Sequence, residues 1–399
     1  MHAKKIVDEA LGSCLSSLHA KLAIAFKEAV CGVLRGGRLS LSQLARALEP
    51  TTTMRHRIKR IDRMLGNFSL YRAKQEVYRQ VAAQWLEGIE QILVVVDWSD
   101  ATLDQKWHLL RASVALEGRS VTLYEEVHPQ RKLGNRLVHR AFLARVAKLL
   151  PAGCRPIIMT DAGFHSTWFE LVTLRGWQWV GRIRGKDMVS IDGSPWKRCT
   201  VLYPAATSRA KGYGNAHYVR SHPTLCRLVL VKRKPKGRTH RNRLGKKSRA
   251  HASSKAARRA REPWLLASSP GLEHLTPESI VSLYAQRMRI EQSFRDVKNE
   301  RLGLGLSASR SRSGTRLEIL LMIGHLAAWL MRLIGEFAQQ HQMHLQFQSV
   351  AHPKHKEIST QTLARRILDA GGRWLDRLRP REAINIIRQQ AMRSCQTAC

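Results

Sequence analysis

Three carboxylates stand out by position: Asp97, Asp161 and Glu291, separated by 64 and 130 residues. Asp97 follows the apolar, β-branched run "QILVVV", and Asp161 follows "CRPIIMT" and precedes a Gly turn. Both read as the ends of buried strands. Glu291 falls in "YAQRMRIEQSFRDVKNER", residues 284–301, which reads as one helix. Carboxylates at the ends of neighbouring strands can converge at one edge of a sheet. A third, on a helix packed over that edge, completes an all-oxygen site for divalent cations. Mg²⁺ suits such a site, because it needs few protein carboxylates when substrate phosphates supply further oxygens. Two such ions about 4 Å apart activate an attacking oxygen and stabilise a leaving one.

The helix adds cations to the acid. Tyr284, Arg287, Glu291 and Lys298 are spaced 3, 4 and 7 apart. At about 100° per residue they share one stripe. Leu283, Ile290, Phe294 and Val297 fall beside it on a buried face, and Arg289, Gln292 and Asp296 on the far side. A carboxylate in such a stripe binds metal, and flanking cations bind phosphate. Each feature alone has a plainer reading. An Asp at a strand end usually marks a turn, and an Arg–Glu–Lys stripe is more often a surface salt-bridge ladder. Together, in a chain with a formal net charge of +38, the chemical reading is favoured.

The elements that must position these residues follow from hydrophobic period. Residues 4–90 look helical. "LSLSQLARALEPTTTMRHRIKRIDRMLGN", 39–67, reads as a helix capped by Ser40 or Ser42, a break at Pro50 and its threonines, and a basic helix from Met54. Helix, turn and basic helix suggest DNA docking; an ordinary helical hairpin with a solvated basic face is the alternative. From residue 91, "QILVVVDWSD", "KWHLLRASVAL" and "RSVTLYEEVHP" read as strands, 132–149 as a helix, and "CRPIIMTDAGF", a helix and "WQWVGRIR" complete a mixed α/β pattern. Over 186–270 short β-like pieces ("HYVRS", "LCRLVLVKRK", "PWLLASS") surround a tract, 232–261, with 14 Lys or Arg and no acid, expected to be a mobile basic loop. The chain is helical again from 277.

The 399 residues carry 68 Lys plus Arg against 30 Asp plus Glu, and removing the basic tract still leaves +24. That excess calls for a polyanionic partner, with nucleic acid ahead of an acidic membrane surface. The longest uncharged apolar run, "ILLMIGHLAAWLM" at 319–331, falls short of the ~20 residues that span a bilayer, so a buried helix and no membrane association are expected. The N-terminus has no signal-peptide pattern. Seven scattered cysteines without a C-x-x-C read as reduced thiols in a cytoplasm.

These residues resemble a known family. "Y-x2-R-x3-E-x6-K", met by Tyr284, Arg287, Glu291 and Lys298, is the signature of the hairpin-forming, cut-and-paste DDE transposases of bacterial insertion sequences, in the insertion-sequence-four family. "VDWSD" and "TDAGF" match the segments carrying its two aspartates, and "IKRIDRMLGN", "LRASVAL-x-GRSVTLYEE" and "EPWLLAS" also look like family blocks. The resemblance runs from about residue 20 to 340 and is nearest to the insertion-sequence-ten group. It implies an α/β, ribonuclease-H-like mixed-sheet core with a β-rich insertion between the second Asp and the Glu. The domains expected are an N-terminal helical DNA-binding region (1–90), the first part of the core (91–185), the insertion with its basic loop (186–270), the second part of the core with the Y-R-E-K helix (271–340), and C-terminal helices (341–399), a candidate for dimerisation. It implies two Mg²⁺ ions, with Mn²⁺ able to substitute, on Asp97, Asp161 and Glu291. It implies transposon-end and target DNA as partners, and a two-protomer synaptic complex at the bacterial nucleoid. Trp264 matches the family tryptophan that stacks on a flipped base near the transposon end; read from the residues alone it is a buried strand tryptophan. Where relatives can place an aromatic wedge just after the signature arginine, this chain has Met288. A DNA transposase is therefore the expectation. A non-catalytic DNA-binding remnant and a metal-dependent nuclease without strand transfer are its rivals.

Overall fold

The computed structural model of the chain describes residues 2–234, 250, 261–301, 303–350, 352, 356–371 and 373–396. The expected basic loop falls largely on 235–249 and 251–260, outside the described residues. The chain opens with helices α1 (His2–Leu11), α2 (Ala20–Leu34), α3 (Leu41–Ala47), α4 (Met54–Leu65) and α5 (Phe68–Leu86). Ser40, Thr53 and Asn67 start α3, α4 and α5 by accepting the amides of Gln43, His56 and Leu70 at 3.4, 3.4 and 2.8 Å, which satisfies donors that a helix start leaves open.

Strands β1 (Leu93–Asp100), β2 (Trp107–Ala115) and β3 (Ser120–Pro129) follow, then α6 (Arg136–Ala147), β4 (Ile157–Thr160), α7 (Ser166–Thr173) and β5 (Gln178–Ile183), in the order the sequence suggests. Next come β6 (Met188–Ile191), β7 (Lys197–Arg198), β8 (Lys211–Tyr218), β9 (Thr224–Val231) and β10 (Trp264–Ser268). Helices α8 (Pro277–Ala285), α9 (Met288–Lys298), α10 (Gly314–Gln340), α11 (Thr360–Ala370), α12 (Arg373–Asp376) and α13 (Pro380–Gln396) close the chain. β6 and β7 have no counterpart in the sequence reading, because runs of four and two residues carry no period to detect.

The chain divides into two compact units. The first combines the residues up to Cys154 with Met288–Ser394; the second is chiefly Arg155–Arg287. In the first unit, β3, β2 and β1 pair antiparallel in that order. Its spine is α10, which packs on β3, α2, α5 and α11. By length and composition α10 could cross a membrane, yet 94% of its most apolar stretch is buried in the fold. Trp329 of α10 stacks on Trp85 of α5 with ring centroids 6.0 Å apart. Glu318, also on α10, is buried, and it is satisfied by Lys74 Nζ and the Val127 amide, each at 2.7 Å, as a buried charge requires.

In the second unit the strand order is β4–β5–β10–β9–β8–β6–β7. β4 and β5 run parallel, and β10 returns antiparallel to β5, so the sheet is mixed. Phe169 of α7 lies flat on Trp179 of β5, centroids 4.1 Å apart. Gly181 makes room for it: a Cβ there would stand 2.3 Å from Phe169 Cζ.

Candidate functional site

Asp97 lies within β1 rather than at its end. The strand continues to Asp100 because its pairing with β2 continues, through Asp100 opposite His108. What changes at Asp97 is burial: Leu93–Val96 are buried, and 97–100 are half-buried. Asp97 is opposite Arg111 on β2, and its Oδ1 accepts the Trp98 amide at 2.8 Å. The Trp98 indole N–H donates to His139 Nε2 at 3.1 Å. Burial, helped by His128, pulls the His139 pKa down to about 4, so the ring stays neutral and accepts that bond.

The stretch 284–301 is not one helix. α8 ends at Ala285 and α9 begins at Met288, with a turn at Gln286–Arg287. The amides of Gln286 and Arg287 bond back three residues, to Leu283 and Tyr284 carbonyls at 3.1 and 3.0 Å. This tighter turn interrupts the α-helical ladder, so the 100° stepping does not run unbroken from Tyr284 to Lys298. The expected single stripe becomes two pairs. Tyr284 and Arg287 belong to the second unit, Glu291 and Lys298 to the first.

In α9, Ile290, Phe294 and Val297 are buried as expected. Asp296, expected on the far side, is instead ion-paired with Arg119 at 2.9 Å. The turn between β2 and β3 covers that face of the helix, and burial raises the Asp296 carboxyl pKa against the pull of Arg119. Glu291 is half-buried. Lys298 Nζ donates to Ser99 Oγ of β1 at 2.5 Å. Burial lowers its ammonium to about 8, with Asp100 opposing, Arg111 adding to the shift and Asp97 opposing it. Lys298 is therefore a half-buried cation set among Ser99, Asp97 and Asp100.

In the second unit, Asp161 directly follows β4, and its Oδ1 accepts the Gly163 amide at 2.8 Å. A Cβ at residue 163 would stand 3.0 Å from that oxygen, so glycine keeps the turn open. Trp264 is half-buried at the start of β10. It meets Tyr284 edge-on, centroids 5.1 Å apart at 81°. Arg233 lies 5.2 Å over the Trp264 ring and Arg287 5.9 Å over the Tyr284 ring. Arg182 on β5 donates to the Glu262 and Pro263 carbonyls, at 3.4 and 3.2 Å, bracing the approach to Trp264. Burial lowers the Arg182 pKa, partly opposed by Tyr284.

Asp97, Asp161 and Glu291 offer only carboxylate oxygens, the donor type that suits Mg²⁺ and other hard ions. Cys14, Cys31, Cys154, Cys199, Cys226 and Cys395 are buried, and burial pushes the thiols of Cys14, Cys31 and Cys154 up to about 11. Among the described residues no group of three or more His, Cys, Asp or Glu forms a ready metal cage. Two of the three acids belong to the first unit and Asp161 to the second. Sequence reasoning missed Ser99, Arg111, Arg119 and Arg182. Ser99 alone carried a signal: two residues beyond Asp97 on a strand, it shares that residue's face.

The family model for the transposase DDE domain matches residues 90–330. No curated protein sequence is matched. A solved structure, a piggyBac transposase synaptic complex with hairpin DNA, is similar at 12% identity over 96% of this chain and 83% of that chain, with a TM-score of 0.45. The mixed α/β architecture is consistent with a ribonuclease-H-like transposase core. With that model spanning three fifths of its length, this chain belongs to the transposase DDE domain family.

Proposed function

We propose that this protein is a DNA transposase of the insertion-sequence-four type, nearest to the insertion-sequence-ten group, that moves a bacterial insertion sequence by cut-and-paste through a hairpin intermediate. The observation that carries the reading is the transposase DDE match over 90–330, the span that holds Asp97, Asp161, Glu291 and Lys298. The net charge of +38 supports DNA as the partner.

Asp97, Asp161 and Glu291 would hold two divalent ions, Mg²⁺ with Mn²⁺ able to substitute. When bound, such ions stabilise charge on the phosphate and on the attacking and leaving oxygens. Lys298 beside Asp97 would neutralise a phosphate oxygen, Arg287 would clamp another, and Tyr284 would orient it. Phosphate esters need this charge stabilisation and in-line positioning more than covalent help. Water attacks the phosphodiester at the transposon end and leaves a 3′-OH and a 5′-phosphate. That 3′-OH attacks the opposite strand, closing a hairpin and releasing flanking DNA. A second water reopens the hairpin, and the regenerated 3′-OH attacks a target phosphodiester, joining to its phosphorus and releasing a target 3′-OH. Trp264 would carry the base that leaves the stack at the bend. The helices before residue 90 would grip terminal inverted repeats, and two protomers would synapse the ends.

The test is incubation of the full-length protein with Mg²⁺ and labelled DNA from the borders of its own gene. Nicks at one position in each terminal repeat, followed by hairpins, are expected. Nicks without hairpins would reduce the reading to a nuclease, and binding without nicks would reduce it to a remnant.

A further inference from the structure

The helix that carries Glu291 has two working faces. Ser293 and Asp296 both reach toward the β2–β3 hairpin: Arg111 Nη1 donates to Ser293 Oγ at 3.3 Å, and Arg119 Nε donates to Asp296 Oδ2 at 2.9 Å. Glu291 and Lys298 each lie two residues from one of these anchors, a rotation of about 200° around the helix. The anchored face and the face offered to the proposed chemistry are thus opposite.

Apolar packing does not by itself fix where α9 sits. Burial of Ile290, Phe294 and Val297 is non-directional. The anchored face also borders a cavity of about 70 Å³, lined in part by Ser293, Asp296, Val297, Trp329 and Arg332, which leaves room to shift. The direction comes from the polar ties, and these are braced from behind. Arg111 is 1% exposed and pairs with Glu125 at 2.6 Å. The Tyr78 hydroxyl donates to Glu125 at 2.8 Å, and Lys74 Nζ reaches the Glu125 carbonyl at 3.2 Å. A buried ion pair of this kind is weak evidence for added stability, since apolar residues of similar volume often replace one without loss; fixing register is its better-attested use.

We infer that Arg111 and Arg119 are positioning residues: they fix the register of α9 and so hold Glu291 and Lys298 at the distance the chemistry needs. The inference rests on the proposed role of Glu291 as a metal ligand. A misplacement of about 1 Å costs on the order of 10²-fold in rate.

Two full-length variants test it. Arg111→Met/Glu125→Leu/Tyr78→Phe replaces the buried pair and its donor by apolar groups. Arg119→Asp/Asp296→Arg exchanges the second tie, with each single change as control. Thermal stability, end-DNA affinity, Mn²⁺ binding without DNA (from loss of the free-ion resonance) and amide exchange over 288–298 are read together. In the triple variant, stability and end binding near wild type are expected, with faster exchange over 288–298 and Mn²⁺ affinity lowered about tenfold. The Arg119→Asp and Asp296→Arg singles should behave likewise, and the exchanged pair should recover most of both losses. Ser293→Ala, which removes only the helix side of the first tie, gives the same readout if the triple variant fails to fold. Unchanged exchange and unchanged Mn²⁺ binding would overturn the inference, as would failure of the exchanged pair to recover either. Glu291→Ala separates the two ideas. If it binds Mn²⁺ as wild type does, the ligand role of Glu291 falls, and amide exchange over 288–298 alone decides whether the two arginines set the helix.

Discussion

Lys298 and Trp264, one in each unit, are held by different means. In the first, Lys298 and the Glu291 helix rest on directional contacts: half-buried ones of Lys298 on Ser99 and Asp296 on Arg119, and a buried one of Ser293 on Arg111, itself locked to Glu125. In the second, Trp264, Tyr284, Arg287 and Arg233 meet ring to ring and cation to ring, with Trp264 half-buried. Directional bonds in a low-dielectric setting fix atoms, as a reaction at phosphorus demands. Aromatic faces and guanidinium groups tolerate adjustment, as a grip on stacked bases and backbone phosphates does. The contrast is one between the surroundings of Lys298 and those of Trp264, since Asp161, which accepts the Gly163 amide at 2.8 Å, also belongs to the second unit.

The largest expected effect belongs to the three carboxylates, whichever unit holds them. Asp97→Ala, Asp161→Ala and Glu291→Ala should each lower strand nicking by on the order of 10³-fold or more, while end binding in gel shifts stays near wild type. Full nicking in any one of them would remove that residue from the site. Lys298→Met is next. Nicking should fall roughly 10²-fold with end affinity retained. If affinity falls in step with rate, Lys298 is a binding residue and the contrast with Trp264 fails at that point.

Much of this was legible beforehand, for a physical reason. The β1, β4 and β5 segments contain short apolar runs, so Asp161 could be placed at a strand end and Asp97 at the end of a buried run from period and composition. The apolar stripe Ile290, Phe294 and Val297 is helical by spacing and is buried. The break at Gln286–Arg287 was not legible, because no Gly or Pro marks it and Gln, Arg and Met all favour helix. The extension of β1 to Asp100 was hidden too, since pairing with β2 outlasts the apolar run. Spacing alone puts Asp296 on the far side of the helix, because its partner, Arg119, is 177 residues away and leaves no local trace.

The aromatic region offers the third test. Unstacking a base costs a few kcal/mol, and an aromatic platform returns about 1–3 kcal/mol per stacked base. Trp264→Ala should therefore slow hairpin formation and accumulate nicked ends, with first-strand nicking preserved, and an abasic site at the bend should partly restore hairpins. A tryptophan that only packs would lose about 3–5 kcal/mol of stability on truncation, and nicking, hairpins and thermal stability would drop together. The smallest effect concerns 232–261. Each phosphate neutralised contributes about 0.9 to the log–log salt slope of binding. Deleting the tract should lower the slope on unrelated DNA by a few such steps and leave nicking at saturating DNA unchanged. An unaltered slope would show that the tract does not touch DNA.

The proposal that Asp97, Asp161 and Glu291 are ligands of the reacting ions is tested most directly by a change of ligand softness. Thiolate is a poor ligand for Mg²⁺ and a better one for softer, thiophilic ions. Nicking of transposon-end DNA by Asp97→Cys, Asp161→Cys and Glu291→Cys, measured in Mg²⁺ and in Mn²⁺, is expected to be lost in Mg²⁺ and partly regained in Mn²⁺, with the matching alanine variants inactive in both. Cysteine variants that nick equally in the two ions, or that stay inactive in both while alanine variants retain activity, would contradict it.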